Sequence, residues 1–462
     1  MKDVVFKAGF ARVDIMPQLG TPVVGYFEER RAKRILDPLE ANALAVSAGD
    51  STAVIIAADL LGIEGVSFND ALLRRVAAAA GVPVEAVYLH CNHTHTGPGA
   101  GVAESGRCNL FDGTDEYNNL LLERLAEVAR LAVADLSPAS IATGASCARR
   151  ISFIRRYRMK DGSLRTNPGV NNPEIDCPIG EVDESVQVLR IRREGKDEIA
   201  VLNFGTHPDV VGGENISGDW PAFARRTFER AEEDVKCIVF NGAQGDVNHV
   251  CTDPRPGERE GLSPDFDDVD RGYDHAQHMG RVVAAAGLSV WGKCVPADAG
   301  YVRFCRQNVR VPAQKAAPED LPEARRIDAL HKAGRDGELP YKGMELTTVV
   351  AEAGRMLALE NAPDAFEMPV SFVAIGDKIA FAGVPGEPFT DIGRKVKEAS
   401  PYRTTVFTCL TNGSYGYFPV ASAYREGGYE ARSSVFGSSV ADVLKDGLLD
   451  LLRDGVERNL AD

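Results

Sequence analysis

The sequence predicts an α/β fold in which a mixed β-sheet is covered by helices, and three observations support this prediction. Short runs rich in Val, Ile, Phe and Ala recur along the chain, and most of them end at polar or glycine-rich segments. Amphipathic helical patterns lie between these runs. The two kinds of segment alternate, which is typical of helices packed on sheets.

The clearest helix covers Glu116–Ala134, where leucine and valine recur at helical spacing and Thr114 or Asp115 can cap the first turn. Further helical patterns cover Pro221–Glu233, His275–Ala286, Pro318–Ala333, Leu346–Leu357 and Val440–Leu451. The strand-like runs are Thr52–Ala58, Val87–Cys91, Val186–Ile191, Ile199–Phe204, Cys237–Asn241, Val302–Val311, Val370–Ile375, Ile379–Ala382 and Thr404–Leu410.

Composition narrows the class of protein. The chain has 462 residues, 44% of them apolar and 26% charged, as in ordinary globular proteins. Its net charge of −15 argues against nucleic acid as a partner. No apolar run resembles a signal peptide or a membrane span, so we expect no stable membrane insertion. The nine cysteines are scattered without a C-x-x-C motif, which predicts free thiols and a cytoplasmic location.

No linker divides the chain, so we expect one catalytic domain over residues 1–462. Two segments are predicted to leave its core. Thr252–Asp274 is rich in Asp, Pro, Gly and Glu and is predicted to be a surface loop. Ala313–Leu339 is a highly charged helical hairpin, either a lid or solvated decoration.

Histidines mark two strand ends. Three of the eight histidines, His90, His93 and His95, fall within six residues at the end of a predicted strand and are followed by Gly97-Pro98-Gly99. This clustering favours a metal or catalytic site over ordinary core histidines. The run Ala200–Pro208 repeats the arrangement and presents His207 after a strand.

Three further strand ends carry polar groups. Ile238–His249 combines two glycines with Asp246, Asn248 and His249, which indicates either a ligand-binding loop or a glycine turn with local hydrogen bonds. Glu387 stands between Gly386 and Pro388, as a ligand or as a charge at a helix N-terminus. Tyr417 and Tyr429 follow the last strand, where tyrosines are often only packing residues.

Taken together, these motifs resemble the catalytic domain of neutral/alkaline (non-lysosomal) ceramidases over the whole chain. Each motif alone is modest, but their shared order is specific. They are Ala8–Ile15, Asp59-Leu60, H-T-H-T-G-P-G at His93–Gly99, T-H at Thr206-His207, G-D-V at Gly245–Val247, P-G-E-P at Pro385–Pro388, Gly416-Tyr417 and Tyr429-Glu430.

The resemblance implies a zinc ion at the strand ends. Its ligands would be His93, His207, Glu387 and Tyr417. Beyond the ligands, the resemblance implies that His95 transfers a proton and that Tyr429 hydrogen-bonds the reacting carbonyl. The active-site arginine of the family falls on Arg155 or Arg156, of which we favour Arg155.

The sequence also departs from the family. Asn248 stands where ceramidases have a serine implicated in activity, and an amide is not a nucleophile. The chain is expected to be a short form without the immunoglobulin-like C-terminal domain. We therefore predict hydrolysis of an amide or related acyl bond in a small polar substrate by zinc-activated water, with Asn248 as a site residue, rather than hydrolysis of ceramide.

Two alternatives remain open at this point. The same metal could act as a Lewis acid in a lactonase, lyase or isomerase working on a sugar-derived substrate. The chain could also be a non-catalytic zinc- or ligand-binding protein, whose metal site would lack an open coordination position. The oligomeric state is not predicted.

Overall fold

The structure is a computed structural model that describes residues 4–102, 112–267 and 269–457. Its helices are α1 (Val66–Ala80), α2 (Asp115–Ala134), α3 (Asp219–Ala231), α4 (Tyr273–Trp291), α5 (Leu321–Lys332), α6 (Gly343–Leu359), α7 (Thr390–Ala399), α8 (Ala421–Glu426), α9 (Tyr429–Ser433) and α10 (Val440–Glu457). The longer strands are β1 (Phe6–Asp14), β2 (Glu40–Ala48), β3 (Ser51–Ala58), β4 (Val87–Cys91), β5 (Ser137–Cys147), β6 (Ser185–Arg193), β7 (Glu198–Phe204), β8 (Val235–Asn241), β9 (Val302–Pro312), β10 (Ala365–Ile375), β11 (Ile379–Gly383) and β12 (Thr404–Thr408).

The strands form two packed sheets. The larger sheet has the order β8-β7-β6-β5-β1-β2-β3-β4, and the short strand Val295–Ala297 also pairs with β5. The smaller sheet has the order β9-β10-β11-β12. The pairs β3/β4, β7/β8 and β11/β12 are parallel, while the other neighbours are antiparallel. The predicted α/β fold with a mixed sheet under helices is confirmed, with two sheets rather than one.

Four layers of structure result from this packing. Buried side chains of both sheets, among them Ile55, Phe240, Phe381 and Val406, form the core between them. Outside the larger sheet, α1 and α2 cover one half and α3 and α4 the other. On the far side, α7 and α10 cover the smaller sheet. Burial of apolar surface on both faces of both sheets is the main term that holds these layers together.

The larger sheet curls until its two edge strands meet at their carboxyl ends. The Asn241 N–H at the end of β8 donates to Nε2 of His90 in β4, at 3.0 Å. The segment after β12 fills the seam, because the Cys91 N–H donates to Leu410 O and the Cys409 N–H to Asn241 O. His90 is therefore a structural residue, and burial lowers its pKa to about 4. The curl brings together loops that are far apart in the sequence.

The two segments predicted to leave the core behave differently. Thr252–Asp274 contains two short paired strands and the buried Arg271, so the surface-loop prediction is wrong for its second half. Ala313–Leu339 is helical as expected, but it holds one α-helix, and the hairpin is formed by α5 with α6, which lies beyond the predicted end. His331 in this hairpin lies with Nε2 3.2 Å from Phe27 O, but the lid role stays a prediction. Among the helices of the described ranges, none has the length and apolar composition needed to cross a bilayer.

Candidate metal centre

Three buried imidazoles meet where β4 and β7 end. His93 and His95 lie in the loop after β4, and His207 lies in the loop after β7. Nε2 of His95 is 3.3 Å from Nε2 of His93 and 3.1 Å from Nε2 of His207. All three offer ligand atoms within 4.8 Å of one another. Burial lowers the pKa of His95 and of His207 well below the ordinary value, so both rings are neutral.

Glu387 adds a carboxylate to this group. Its Oε2 lies 3.1 Å from Nε2 of His93 and 3.8 Å from Nε2 of His207. The Glu387 N–H donates to Gly416 O at 2.8 Å, and Nε2 of Gln244 donates to the carboxylate at 3.3 Å. These bonds fix the carboxylate against the imidazoles.

The donor set fits a divalent cation. Nδ1–H of His93 donates to Leu61 O at 2.8 Å, and Nδ1–H of His207 donates to Gln244 O at 3.3 Å, so both Nε2 atoms present lone pairs inward. Two lone pairs and a carboxylate that face one point repel each other unless a cation lies between them. Tetrahedral ligands at about 2.0–2.1 Å from zinc are about 3.3–3.4 Å apart, and the Glu387 oxygen lies 3.1 Å from Nε2 of His93 and 3.8 Å from Nε2 of His207.

Tyr417 lies against the same centre. The short strand that begins at Tyr417 pairs in parallel with the one that begins at Glu387. The phenol ring is nearly parallel to that of His207, with centroids 6.5 Å apart. Burial and the neighbouring Glu387 raise the pKa of Tyr417 well above its ordinary value. The phenol is therefore neutral by itself, and its phenolate would need a bound cation.

Arg155 faces the two tyrosines. Its guanidinium carbon lies 5.4 Å from the Tyr417 ring centroid and 5.9 Å from that of Tyr429. Nε donates to the buried Glu430 at 2.7 Å, and Nη2 donates to Gly245 O at 2.9 Å. Burial opposes the charge of Arg155, but Tyr417 and Glu430 outweigh it and raise its pKa. The centre is thus bordered by a fixed cation and two phenols.

Arg156 shares Glu430 with Arg155, at 3.7 Å from its Nε, but its other contacts lie elsewhere. Its Nη2 donates to Glu426 at 3.1 Å and to Gly427 O at 3.2 Å, and its guanidinium carbon lies 5.2 Å from the centre of the Phe389 ring. Of the two arginines left open by the sequence, Arg155 is the one that contacts the tyrosines. Its role in chemistry stays a prediction.

The side chain of Asn248 bonds to one distant residue and to its own loop. Its Nδ2 donates to Oδ1 of Asn167 at 3.0 Å, and its Oδ1 accepts the Val250 N–H at 3.0 Å. Within the described part of the chain, neither bond reaches an imidazole. These contacts give Asn248 a place in the loop after β8, and its predicted place among the catalytic residues stays untested.

A charged network that the sequence analysis did not identify lies behind His95. Asp209 has its Oδ1 3.7 Å from Nδ1 of His95. Nε and Nη2 of Arg271 donate to the two Asp209 oxygens at 2.9 and 2.8 Å, and the Tyr26 hydroxyl donates to the same carboxylate. Burial opposes ionisation, but Arg271 outweighs it and holds the pKa of Asp209 well below its usual range. Only Asp209 carried a sequence signal, its position two residues after His207.

A cavity of about 510 Å³ lies elsewhere, beside His249, His275 and His278. The three converging imidazoles do not line it. Two of its arginines are paired with its own carboxylates, Arg150 with Glu258 and Arg259 with Asp270. The converging ligand atoms, rather than the size of this cavity, define the candidate site.

The fold and the centre define a class: two packed sheets between helical layers, with imidazole and carboxylate side chains that converge at the carboxyl ends of parallel strands. No family model and no curated protein matches the sequence. Solved structures, in contrast, resemble the chain in fold. The chain superposes on a neutral ceramidase from Pseudomonas aeruginosa with a TM-score of 0.74 and 19% identity, over 99% of this chain and 75% of that one.

A second similar structure, a ceramidase complexed with C2, gives a TM-score of 0.71 at 19% identity, over 99% of this chain and 76% of the other. The resemblance predicted from the motifs is therefore confirmed for the fold, which is that of the neutral ceramidase catalytic domain.

Proposed function

We propose that this protein is a zinc-dependent hydrolase that cleaves an amide or related acyl bond in a small polar substrate. The observation that carries the proposal is the convergence of the His93 and His207 ring nitrogens on the Glu387 carboxylate, beside Arg155 and two tyrosines. A purely structural zinc site has no need of the arginine and the second tyrosine at its border.

The metal would be held by His93, His207, Glu387 and Tyr417. A zinc ion there would polarise the scissile carbonyl and lower the pKa of water. Because all four side chains follow strands of the two sheets, the site is built on rigid elements. Such pre-organisation keeps the ligands in place during reaction.

The other residues have separate roles in this proposal. Arg155 and Tyr429 would donate hydrogen bonds to the oxygen on which negative charge develops. His95 would hold and return a proton, since its Nε2 faces the centre and its ring is neutral. Asn248 supplies no nucleophile, so no acyl intermediate forms at this position.

The charges around the centre support a polar substrate. Asp209, Arg271 and Arg30 lie behind His95, and Arg155 lies beside the tyrosines. The hairpin Ala313–Leu339 carries charged side chains along its helix α5. Charged groups this close to the centre favour a small substrate with polar atoms over a long acyl chain.

The test is a substrate screen on zinc-loaded protein, metal-free protein and the H93A variant. Short N-acyl amino acids, N-acyl sugars, sugar lactones, keto-sugars and ceramide in detergent micelles would be compared by kcat/KM. We expect the highest value for a soluble N-acyl compound, in the zinc-loaded protein only. Turnover of ceramide above every soluble candidate would contradict the polar substrate, and preference for a lactone or keto-sugar would contradict the amide bond.

A further inference from the structure

One ring nitrogen of His95 is enclosed without a hydrogen bond. Nδ1 is buried and lacks a hydrogen-bond partner among the described residues, and the Asp209 oxygen lies 3.7 Å away. A methyl group at Gly25 would lie 2.7 Å from this nitrogen, so the backbone closes the site there. The His95 N–H donates to Pro208 O, and its carbonyl accepts from Arg30. The backbone of His95 is thereby fixed relative to Asp209.

Asp209 is itself held firmly. Arg271 donates to both of its oxygens, and the Tyr26 hydroxyl donates to one of them. Arg271 also donates to Asp265 at 3.3 Å and to Asp267 at 2.6 Å. A guanidinium in a planar, two-bond contact fixes both the position and the orientation of a carboxylate. The anion facing His95 therefore does not turn away from it.

The three imidazoles differ in what stands behind them. Nδ1 of His93 and Nδ1 of His207 face neutral backbone carbonyls, whereas Nδ1 of His95 faces a carboxylate. We infer that Asp209 is a positioning residue, which keeps the His95 proton on Nδ1 and so directs the Nε2 lone pair at the metal centre. Carboxylates behind metal-site histidines fix the tautomer and the ring orientation in this way.

The competing tautomer has its own geometry. A proton on Nε2 of His95 would point at the lone pair of His207, 3.1 Å away, and leave the Nδ1 lone pair facing the carboxylate. A cation in the centre would disfavour that proton on the resting ring. The negative charge of Asp209 disfavours the same tautomer even without the cation, and this effect is specific to the side chain at position 209.

The experiment measures the tautomer directly. Protein labelled with ¹⁵N in histidine and freed of metal is studied by two-bond ¹H–¹⁵N correlation NMR, with the His95 signals assigned by their loss in H95Q. We expect the proton on Nδ1 in the wild type and a shift of at least half of the population to Nε2 in D209N. D265N is the matched control, because Asp265 contacts the same arginine; it should keep the wild-type tautomer.

A wild-type protein with its proton on Nε2, or a D209N protein with an unchanged tautomer, would overturn the inference. If D209N does not fold, Y26F and D209E replace it: D209E should retain the Nδ1 proton, and Y26F should lose part of it. Only the importance of this tautomer for turnover rests on the proposed function. There, D209N should lower kcat roughly 10–100-fold, with little change in KM. An inactive protein with the predicted tautomers would refute the hydrolase and leave the role of Asp209 intact.

Discussion

At the scale of single residues, His93 is unusual because its backbone has a φ of 73°, in the left-handed region. A non-glycine residue there costs on the order of 1–2 kcal/mol. The strained loop places Nε2 of His93 against Glu387 and His95, while Nδ1–H donates to Leu61 O. Strain of this kind is often found where a side chain has a functional position.

Removal of a ligand ring should remove the metal. We expect about one zinc per chain in the purified wild type and loss of most of it in H93A and in H207A, because each variant deletes one inward lone pair. Metal content by mass spectrometry checks this. H331A, in the hairpin, should keep the wild-type content, and full zinc occupancy in both ligand variants would show that the assignment is wrong.

His95 is expected to act on protons rather than to be required for metal binding. H95A should retain most of its zinc, while turnover on the cognate substrate falls roughly 10²–10⁴-fold, the usual range for a general acid or base. Zinc content and kcat are measured on the same preparation. Because Nε2 of His95 lies 3.1 and 3.3 Å from the other two Nε2 atoms, zinc loss as complete as in H93A would instead make it a ligand.

At the scale of elements, helix α7 is held to the loop that follows β8. Asp246 follows β8 and accepts the Thr390 N–H at 2.7 Å and the Thr390 hydroxyl at 3.1 Å, so it caps α7 from a distant part of the chain. The N–H groups of Gln244 and Gly245 donate to Pro388 O. These contacts join the two loops that position Glu387.

This cap predicts a pH effect on stability. Burial raises the pKa of Asp246 to about 6, with Arg156 lowering it and Glu430 raising it. Between about pH 4 and pH 6 the folded state therefore holds a proton that the unfolded chain has released, and stability from this group falls as pH rises. The unfolding free energy of wild type minus that of D246N should fall by about 2–3 kcal/mol across this window.

Denaturant unfolding of metal-free protein at several pH values measures this difference. D391N, which removes an exposed carboxylate from the first turn of the same helix, should show no comparable trend. A constant difference between wild type and D246N from pH 4 to pH 6.5 would mean that Asp246 is not protonated preferentially in the folded state.

The helices and strands show which parts of the fold local sequence patterns predict. Each predicted strand and helix has its counterpart, because apolar runs and amphipathic stripes report burial directly. The strands β1, β2 and β5 and the helices α1, α7, α8 and α9 were not predicted. The sequence of β5, SPASIATGASC, shows no clear alternation of apolar and polar residues, because it consists mostly of small and polar residues. Its place in the sheet is set by pairing with the strands on either side. Register and sheet order are tertiary properties that no local pattern contains.

The residues of the candidate centre also fall into those that local sequence patterns reveal and those that they do not. Residues in the loops after apolar strands, such as His93 and His207, were visible in the sequence. Tyr26 and Arg271 were not, because they lie 183 and 62 residues from the Asp209 that they contact. Asn248 was selected by its place in a motif, and only the structure shows its side chain bonded to Asn167 and to the Val250 N–H.

At the scale of the whole molecule, the four proposed ligands come from both sheets. His93 and His207 follow strands of the larger sheet, while Glu387 and Tyr417 follow strands of the smaller one. An ion that binds only the folded state stabilises it by about 4 kcal/mol when its free concentration is 1,000 times its Kd. We therefore expect chelation of the metal to lower Tm by several degrees, as measured by calorimetry at matched pH.

H93A provides the control for this effect. Its Tm should not respond to chelator or to added zinc, while that of H331A should respond as the wild type does. An equal response of H93A and the wild type would show that zinc stabilises the fold from somewhere else.

The seam between β4 and β8 has a consequence for biosynthesis. The segment Cys409–Asn412 closes it, and Tyr417 follows a few residues later. During translation, His93 and His207 are synthesised well before the segment Cys409–Asn412 that closes the seam. Chains that stop before this segment therefore carry the two histidines without Tyr417, so under the proposed function they would not hold the metal as the folded protein does.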